Sequence, residues 1–182
     1  MLPLGTLAPD FHLPDVTTNR LVSFGDVAKR HGTLVMFICA HCPFVKHVER
    51  ELARLGRDYA NRIGIVAISS NDAAAYPDDA PAGLAHQAKS VGFTFPYLFD
   101  ETQSIARAYS AACTPDFYLF GPDRKLVYRG QLDDSRPSNG KPVTGHDLRA
   151  ALDAVITGGP VAAAQTPSIG CGIKWSATSR AT

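Results

Sequence analysis

A run of five apolar residues, Leu34 to Ile38, is the clearest structural signal in the chain. Continuous apolar runs of this kind are typical of a strand that is buried on both faces. Beyond it, apolar residues recur at spacings of three and four from Val45 to Tyr59, with charged residues on the other side. The sequence therefore predicts a buried strand followed by an amphipathic helix of about four turns.

Similar alternation continues along the chain. The elements expected next are a strand at 64–69, a polar loop at 71–81, a helix at 82–91, a strand at 97–99, a helix at 101–109, a hairpin with strands at 117–120 and 126–129, and a helix at 147–156. Strands that alternate with helices favour a sheet whose parallel strands are joined by crossover helices. We therefore predict the α/β class, with a central mixed sheet flanked by helices.

The end of the chain has a different pattern. An Ala-rich stretch begins at 158–160, and apolar residues then alternate with small or polar ones from Ile169 to Trp175, with Cys171 on the apolar side. A period of two is typical of a half-buried strand. The sequence thus predicts one domain over residues 1–160 and a C-terminal tail, residues 161–182, that packs on it.

Length and composition agree with one globular domain. The chain has 182 residues, of which 45% are hydrophobic and 19% charged, enough apolar surface for a packed core. The net charge is +1 with scattered basic residues, which argues against a nucleic-acid binder. The first thirty residues lack the apolar stretch of an export signal, and no apolar run approaches the ~20 residues of a membrane helix. We expect a soluble, cytoplasmic protein without nucleic-acid or membrane partners.

Candidate chemistry lies where the predicted strand ends, because Cys39 and Cys42 form a C-x-x-C motif there. In the cytoplasm such a pair is more often catalytic or metal-binding than a structural bridge. The first turn of a helix has unpaired N–H groups and the positive end of the dipole, which stabilise a thiolate. We therefore expect a low pKa for Cys39, assisted by protonated His41. Pro43 fits this placement because the first turn tolerates proline.

Two other interpretations of the pair stay open. A closed zinc site needs a second ligand pair at short spacing, and the remaining candidates, Cys113, Cys171 and His146, stand alone in the sequence. The two cysteines are alternatively small buried hydrophobic residues. A strand-to-helix junction is the context of the redox motif, so a redox role is favoured.

Four motifs spread over nearly the whole chain resemble those of one superfamily. They are Gly5-x-x-Ala8-Pro9-Asp10-Phe11-x-Leu13-Pro14-Asp15, Cys39-x-x-Cys42-Pro43-Phe44-Val45-Lys46-His47, Thr114-Pro115-Asp116-Phe117-Tyr118-Leu119-Phe120 and Ile169-Gly170-Cys171-x-Ile173-Lys174-Trp175. In these motifs the chain resembles the thioredoxin superfamily, and within it the peroxiredoxin-like group of AhpC/TSA-related redoxins. The resemblance implies a thioredoxin-like fold with an N-terminal extension and a C-terminal tail.

The resemblance also implies roles for Thr114 and Pro115. Thioredoxin-like proteins have a cis-proline that faces the active cysteines, and the backbone beside it pairs with substrate. We therefore expect a cis Thr114–Pro115 bond next to the dithiol. Cys113 would then be close to the site, as a third redox thiol, a soft metal ligand or a small buried side chain.

The sequence departs from the families it resembles at two points. Peroxiredoxins have Thr or Ser three residues before the peroxide-attacking cysteine, and Cys39 occupies that position if Cys42 aligns with that cysteine. A disulfide reductase is therefore favoured over a peroxidase. Thioredoxins have a buried acid on the preceding strand, whereas Leu34–Ile38 has none. Either the proton of the second cysteine leaves another way, through water or His41, or turnover is slow.

Three further residues have weaker candidate roles. Lys46 is one turn from Cys42 and is expected to be solvated rather than to stabilise a thiolate. Arg129, at the end of the hairpin, is a candidate positive charge near the site, as an arginine is in peroxiredoxins. Cys171 is expected to be buried in the tail strand, with a resolving role as the lesser alternative.

Together these observations predict a thiol–disulfide oxidoreductase. Its catalytic residues are expected to be Cys39, His41, Cys42, Thr114 and Pro115. Cys39 would attack the substrate disulfide, Cys42 would resolve the mixed disulfide, and an external thiol reductant would restore the dithiol. This scheme requires neither a cofactor nor a metal.

Alternatives from other classes remain. A thiol peroxidase would take a hydroperoxide in place of a protein disulfide, with a sulfenic acid at Cys42 that Cys39 resolves. A soft-metal-binding or carrier module would use Cys39, Cys42, Cys113 and His41 or His47 as ligands. A non-catalytic interaction domain that keeps the fold is a third possibility.

Overall fold

The apolar run before the cysteines forms the middle strand of a five-stranded sheet in the computed structural model, which describes residues 2–177. Numbered along the chain, the strands are β1 (His12–Pro14), β2 (Leu21–Ser23), β3 (Thr33–Phe37), β4 (Gly64–Ser69), β5 (Tyr97–Phe99), β6 (Cys113–Thr114), β7 (Asp116–Phe120), β8 (Leu126–Gly130) and β9 (Cys171–Gly172). The helices are α1 (Phe24–Val27), α2 (Pro43–Tyr59), α3 (Pro81–Val91), α4 (Ser104–Ala108) and α5 (His146–Thr157), with a 3-10 turn at Pro77–Asp79.

The sheet is mixed, as predicted. Its strand order is β5-β4-β3-β7-β8. Strands β3, β4 and β5 are parallel, and α2 and α3 provide the two crossovers. Strand β7 runs antiparallel to β3 and forms the predicted hairpin with β8. The α/β class and the thioredoxin-like arrangement of a mixed sheet between helices are confirmed.

All five residues of β3 are buried, as expected of a strand covered on both faces. On one face, Leu34 and Met36 pack with Leu52 of α2 and Leu152 of α5. On the other face, Phe37 belongs to a second apolar cluster that includes residues of α1 and α4. The end of β3 is thus held between two packed layers, so the cysteines that follow it start from a rigid point.

Several short elements differ from the prediction. The β1–β2 hairpin was not predicted, and its turn is held by the carboxylate of Asp15, which accepts hydrogen bonds from Thr17 and Thr18. The helix predicted over 101–109 is shorter, spanning Ser104–Ala108. Gln103 has a left-handed φ of 61°, which excludes it and the preceding residues from the helix.

The predicted tail strand is also shorter, because only β9 finds a pairing partner. Cys171 lies opposite Thr114, and Gly172 lies opposite Cys113. Further along the tail, the ring of Trp175 lies under the guanidinium of Arg107 at 4.6 Å. The described part of the tail therefore packs back on the domain. The boundary at residue 160 stays a prediction, and residues 178–182 lie outside the described part.

None of the described helices is long and apolar enough to cross a membrane.

Candidate active site

The C-x-x-C loop connects β3 to α2. Helix α2 begins at Pro43, so Cys42 is its N-cap residue and Cys39 lies three residues earlier in the loop. Both cysteine side chains are fully buried, and both are free thiols. The two thiols are close enough to shift each other's pKa. The structure therefore brings the predicted pair together as a buried dithiol at a helix N-terminus.

The pKa of Cys42 is lowered and that of Cys39 is raised, whereas the sequence predicted a low pKa for Cys39. The hydrogen bond from the Cys39 thiol lowers the pKa of Cys42 against the opposing effect of burial, and the backbone N–H of Val45 adds to the lowering. The pKa of Cys39 is raised by its hydrogen bond to Cys42, by burial and by the charge of Asp79. These directions differ from the low pKa predicted for Cys39, because the interaction between the two thiols is the largest cause of both shifts.

Thr114 and Pro115 pack against both thiols. The Thr114–Pro115 peptide bond is cis, as predicted. The Thr114 hydroxyl lies 3.3 Å from the Sγ of Cys39. Its carbonyl oxygen lies 3.2 Å from the Sγ of Cys42 and accepts the S–H of that residue in the thiol form. Thr114 thus contacts each sulfur with a different group.

Asp79 is a site residue that the sequence did not reveal. Its side chain is fully buried. One carboxylate oxygen accepts the backbone N–H groups of Ala40 and His41 at 2.8 and 3.0 Å. The other accepts from the His41 ring and from the side-chain amide of Asn71. Asp79 therefore fixes the backbone between the two cysteines.

His41 connects this carboxylate to the dithiol. Its Nδ1 lies 2.5 Å from Asp79 and 3.8 Å from the Sγ of Cys39. Its ring stacks on Tyr76, with 4.7 Å between ring centroids, and the side chain is 20% exposed. The acid that β3 lacks is thus supplied from the loop that follows β4, with His41 between it and Cys39.

A second buried group holds the start of the motif. The side-chain amide of Gln87 donates to Glu49 at 3.1 Å and approaches the carbonyl oxygen of Cys39 at 3.5 Å. The hydroxyl of Tyr97 donates to Gln87, and burial raises the pKa of that tyrosine. No motif in the sequence marks these residues.

The two remaining cysteines lie near the dithiol but differ in their contacts. The half-buried Cys171 packs against the apolar cluster that contains Cys42, and its thiol lowers the pKa of Cys42. Cys113 instead has its Sγ 3.8 Å from the carbonyl oxygen of Pro115, and burial raises its pKa to about 12. Cys171 was expected to be buried, and its partial exposure follows from the short pairing of β9.

The predicted soft-metal ligands are not brought together as a set. Within residues 2–177, the ligand atoms of Cys39, His41 and Asp79 lie within 4.8 Å of one another. However, both oxygens of Asp79 are already engaged in the hydrogen bonds described above. His47 pairs with the hydroxyl of Ser135 at 2.7 Å, and Cys113 faces a backbone carbonyl.

Two other candidate charges do not act on the dithiol. Lys46 is exposed, as expected. Arg129 pairs across the sheet with Tyr118, on the face opposite the cysteines, and donates to the carbonyl oxygen of Leu2. The prediction that Arg129 supplies charge near the site was wrong, because alternate residues of a strand face opposite sides.

Comparison with known proteins agrees with the geometry. The model of the AhpC/TSA family matches residues 4–129. An uncharacterised conserved protein from Geobacillus kaustophilus is 57% identical, with a TM-score of 0.95 over 97% of this chain and 94% of that chain. A hypothetical protein from Sinorhizobium meliloti is 49% identical, with a TM-score of 0.94 over 97% of each chain.

A more distant structure shares the fold alone. The thioredoxin domain of a thiol-disulfide oxidoreductase from Bacteroides vulgatus is 19% identical, with a TM-score of 0.60 over 71% of this chain and 89% of that chain. No curated protein matches the chain.

Proposed function

This chain belongs to the AhpC/TSA family, and we propose that it is a thiol–disulfide oxidoreductase that works through Cys39 and Cys42. The observation that carries the proposal is the buried pair of free thiols whose sulfurs both contact Thr114, with their pKa values shifted in opposite directions. One sulfur is thereby prepared as a thiolate and the other is kept as a thiol. Such a pair suits two successive exchange steps.

In the first step the Cys42 thiolate attacks one sulfur of a substrate disulfide. A bond forms between Cys42 and that sulfur, the substrate S–S bond breaks, and the other substrate sulfur leaves as a thiolate. Because both cysteines are fully buried, we propose that the substrate enters beside Thr114–Pro115, where it would displace the contacts to Cys42.

In the second step Cys39 resolves the mixed disulfide. Its sulfur loses its proton and attacks Cys42, which forms the Cys39–Cys42 disulfide and releases the second substrate thiol. Formation of the mixed disulfide removes the hydrogen bond to the Cys42 thiolate, which is the largest cause of the raised pKa of Cys39. We propose that the proton leaves on the side of His41, 3.8 Å from Cys39. An external thiol reductant then restores the dithiol.

This order reverses the one predicted from the sequence, and single substitutions distinguish the two. Reduction of insulin disulfides by the full chain should be abolished in Cys42→Ser, whereas Cys39→Ser should still form its first mixed disulfide on Cys42. Cys113→Ser is the matched control and should retain activity. A mixed disulfide that accumulates on Cys39 in the Cys42→Ser protein would instead support the order predicted from the sequence, in which Cys39 attacks the substrate.

A thiol peroxidase is the second candidate, because a helix-stabilised thiolate also attacks peroxides. Cys42 would take one peroxide oxygen to give a sulfenic acid and release an alcohol or water, and Cys39 would then form the disulfide and release water. We rank it second because the position of the peroxide-orienting hydroxyl is occupied by the Cys39 thiol. Peroxide consumption that outpaces insulin reduction in the same preparation would overturn this ranking.

A further inference from the structure

The tail strand places a third thiol against the dithiol. In the β6–β9 pair, Cys171 lies directly opposite Thr114, the residue that contacts both Cys39 and Cys42. Gly170 makes this approach possible, because a Cβ at that position would lie 2.0 Å from the carbonyl oxygen of Thr114. The tail backbone is thus pressed directly onto the active-site strand.

Cys42 and Cys171 share the N-terminus of α2. The backbone N–H of Val45 lowers the pKa of Cys42, and that of Phe44 lowers the pKa of Cys171. Cys171 also packs against the apolar cluster that contains Cys42. The unpaired N–H groups and the helix dipole therefore favour negative charge on either sulfur.

The three sulfurs form a chain through Cys42 and not a closed cluster. Cys39 and Cys171 each lie close enough to Cys42 to shift its pKa. Within residues 2–177, however, the three sulfur atoms do not all lie within 4.8 Å of one another. Only Cys171 is partly exposed, since the other two are fully buried. This arrangement suits disulfide exchange better than metal binding.

We propose that Cys171 is a second resolving thiol, which forms a disulfide with Cys42. This inference rests on the proposed function. The Cys171 sulfur gives up its proton and attacks Cys42 in the mixed disulfide, so that the Cys42–Cys171 bond forms and the substrate thiol leaves. No further oxidant is needed, because the mixed disulfide is itself the oxidant: its S–S bond breaks, the substrate sulfur is reduced to the thiol, and the Cys171 sulfur is oxidised.

The state of Cys42 controls this step. In the reduced protein, burial and then the hydrogen bond and charge of Cys42 raise the pKa of Cys171 to about 11. A mixed disulfide on Cys42 removes that charge, while the N–H of Phe44 and the charge of Lys174 still favour the Cys171 thiolate. Afterwards an external thiol can attack the half-exposed Cys171 sulfur and release Cys42 as a thiolate.

The test removes the two other thiols that could form a disulfide with Cys42, so that only Cys171 is left. The full chain with Cys39→Ser and Cys113→Ser is reacted with glutathione disulfide, and its cysteines are mapped by mass spectrometry without reduction. The expected product is the Cys42–Cys171 disulfide, with both glutathione thiols released. Adding Cys171→Ser should stop the reaction at a glutathione mixed disulfide on Cys42, with one thiol released.

A glycine pair provides a control that keeps Cys171 in place in the sequence. Added to the same double variant, Gly170→Ala should displace the tail strand and leave the mixed disulfide unresolved. Gly172→Ala should have no effect, because the nearest atom to its new Cβ is 3.9 Å away. A mixed disulfide that persists on Cys42 with Gly170 and Cys171 intact would overturn the inference while supporting the proposed function. A wild-type protein that does not react with disulfides would overturn both.

Discussion

Removal of the Cys39 thiol should raise the pKa of Cys42. The hydrogen bond from Cys39 is the largest cause that lowers the pKa of Cys42, and Cys39→Ala removes the donor. Cys39→Ser keeps a hydroxyl donor at the same position and is the matched control. The two variants therefore differ in one hydrogen bond to a thiolate, at a site that is fully buried in both.

The expected magnitude follows from the charge on the acceptor. A hydrogen bond to a charged group contributes about 1.5–3 kcal/mol, and one pKa unit corresponds to about 1.4 kcal/mol. The midpoint for Cys42 should therefore lie about 1–2 units higher in Cys39→Ala than in Cys39→Ser. The other lowering contacts, from Cys171, Thr114 and Val45, stay in place and should keep the midpoint below that of a free thiol.

The assay is the rate of iodoacetamide alkylation at each cysteine as a function of pH, with the modified peptides identified by mass spectrometry. Cys113 and Cys171 titrate separately because their pKa values are raised to about 12 and about 11. Circular dichroism checks that both variants are folded. Equal midpoints in Cys39→Ala and Cys39→Ser would refute the assignment of the thiolate to Cys42, as would a low-pH alkylation step that survives in Cys42→Ser.

Three further predictions concern the surroundings of the dithiol. Asp79→Asn should lower the free energy of unfolding in urea by on the order of 3 kcal/mol, because the amide replaces a buried carboxylate that accepts four hydrogen bonds. An unchanged urea midpoint would contradict a stabilising role for this carboxylate. The pKa of Cys42 in the folded state lies below its value of about 8.5 in the unfolded state. Between these two pKa values the folded reduced chain therefore binds fewer protons than the unfolded chain. The difference in the free energy of unfolding between wild type and Cys42→Ser should therefore shrink as pH falls from about 8.5 through the lowered pKa. A difference that does not depend on pH would contradict the lowered pKa of Cys42. Native mass spectrometry of the reduced protein with added Zn²⁺ should show no stoichiometric ion, because both oxygens of Asp79 are already hydrogen-bonded; a bound zinc lost in Cys39→Ser would contradict this.

The local elements of the site could be predicted from the sequence. The apolar run at Leu34–Ile38 and the spacing from Val45 to Tyr59 are signals carried by consecutive residues, and they place the C-x-x-C motif at a strand-to-helix junction. Which cysteine becomes the thiolate depends on a finer detail, the residue at which α2 begins. A start at Pro43 makes Cys42 the N-cap residue, and the periodicity of the helix does not define its first residue to that accuracy.

Asp79 shows what the sequence could not provide. It lies 38 residues from His41, in a polar segment that also contains Asp72 and Asp78, and nothing in the segment distinguishes the three. Only the crossover from β3 to β4 and the 3-10 turn at Pro77–Asp79 bring its carboxylate under the C-x-x-C loop. The contact of Cys171 with Cys42 arises in the same way, because the alternation in the tail predicts a strand without identifying β6 as its partner.

The electrostatic environments of Cys42 and Cys39 also determine which sulfur is released when the disulfide is reduced. The N-terminus of α2 stabilises negative charge on Cys42, whereas the Asp79 carboxylate disfavours it on Cys39. In thiol–disulfide exchange the sulfur with the lower pKa leaves faster. A reductant should therefore attack the Cys39 sulfur of a Cys39–Cys42 disulfide, or the Cys171 sulfur of a Cys42–Cys171 disulfide, and expel Cys42 in both cases. Since Cys171 is the partly exposed member, the second disulfide offers the reductant the shorter route to the same thiolate.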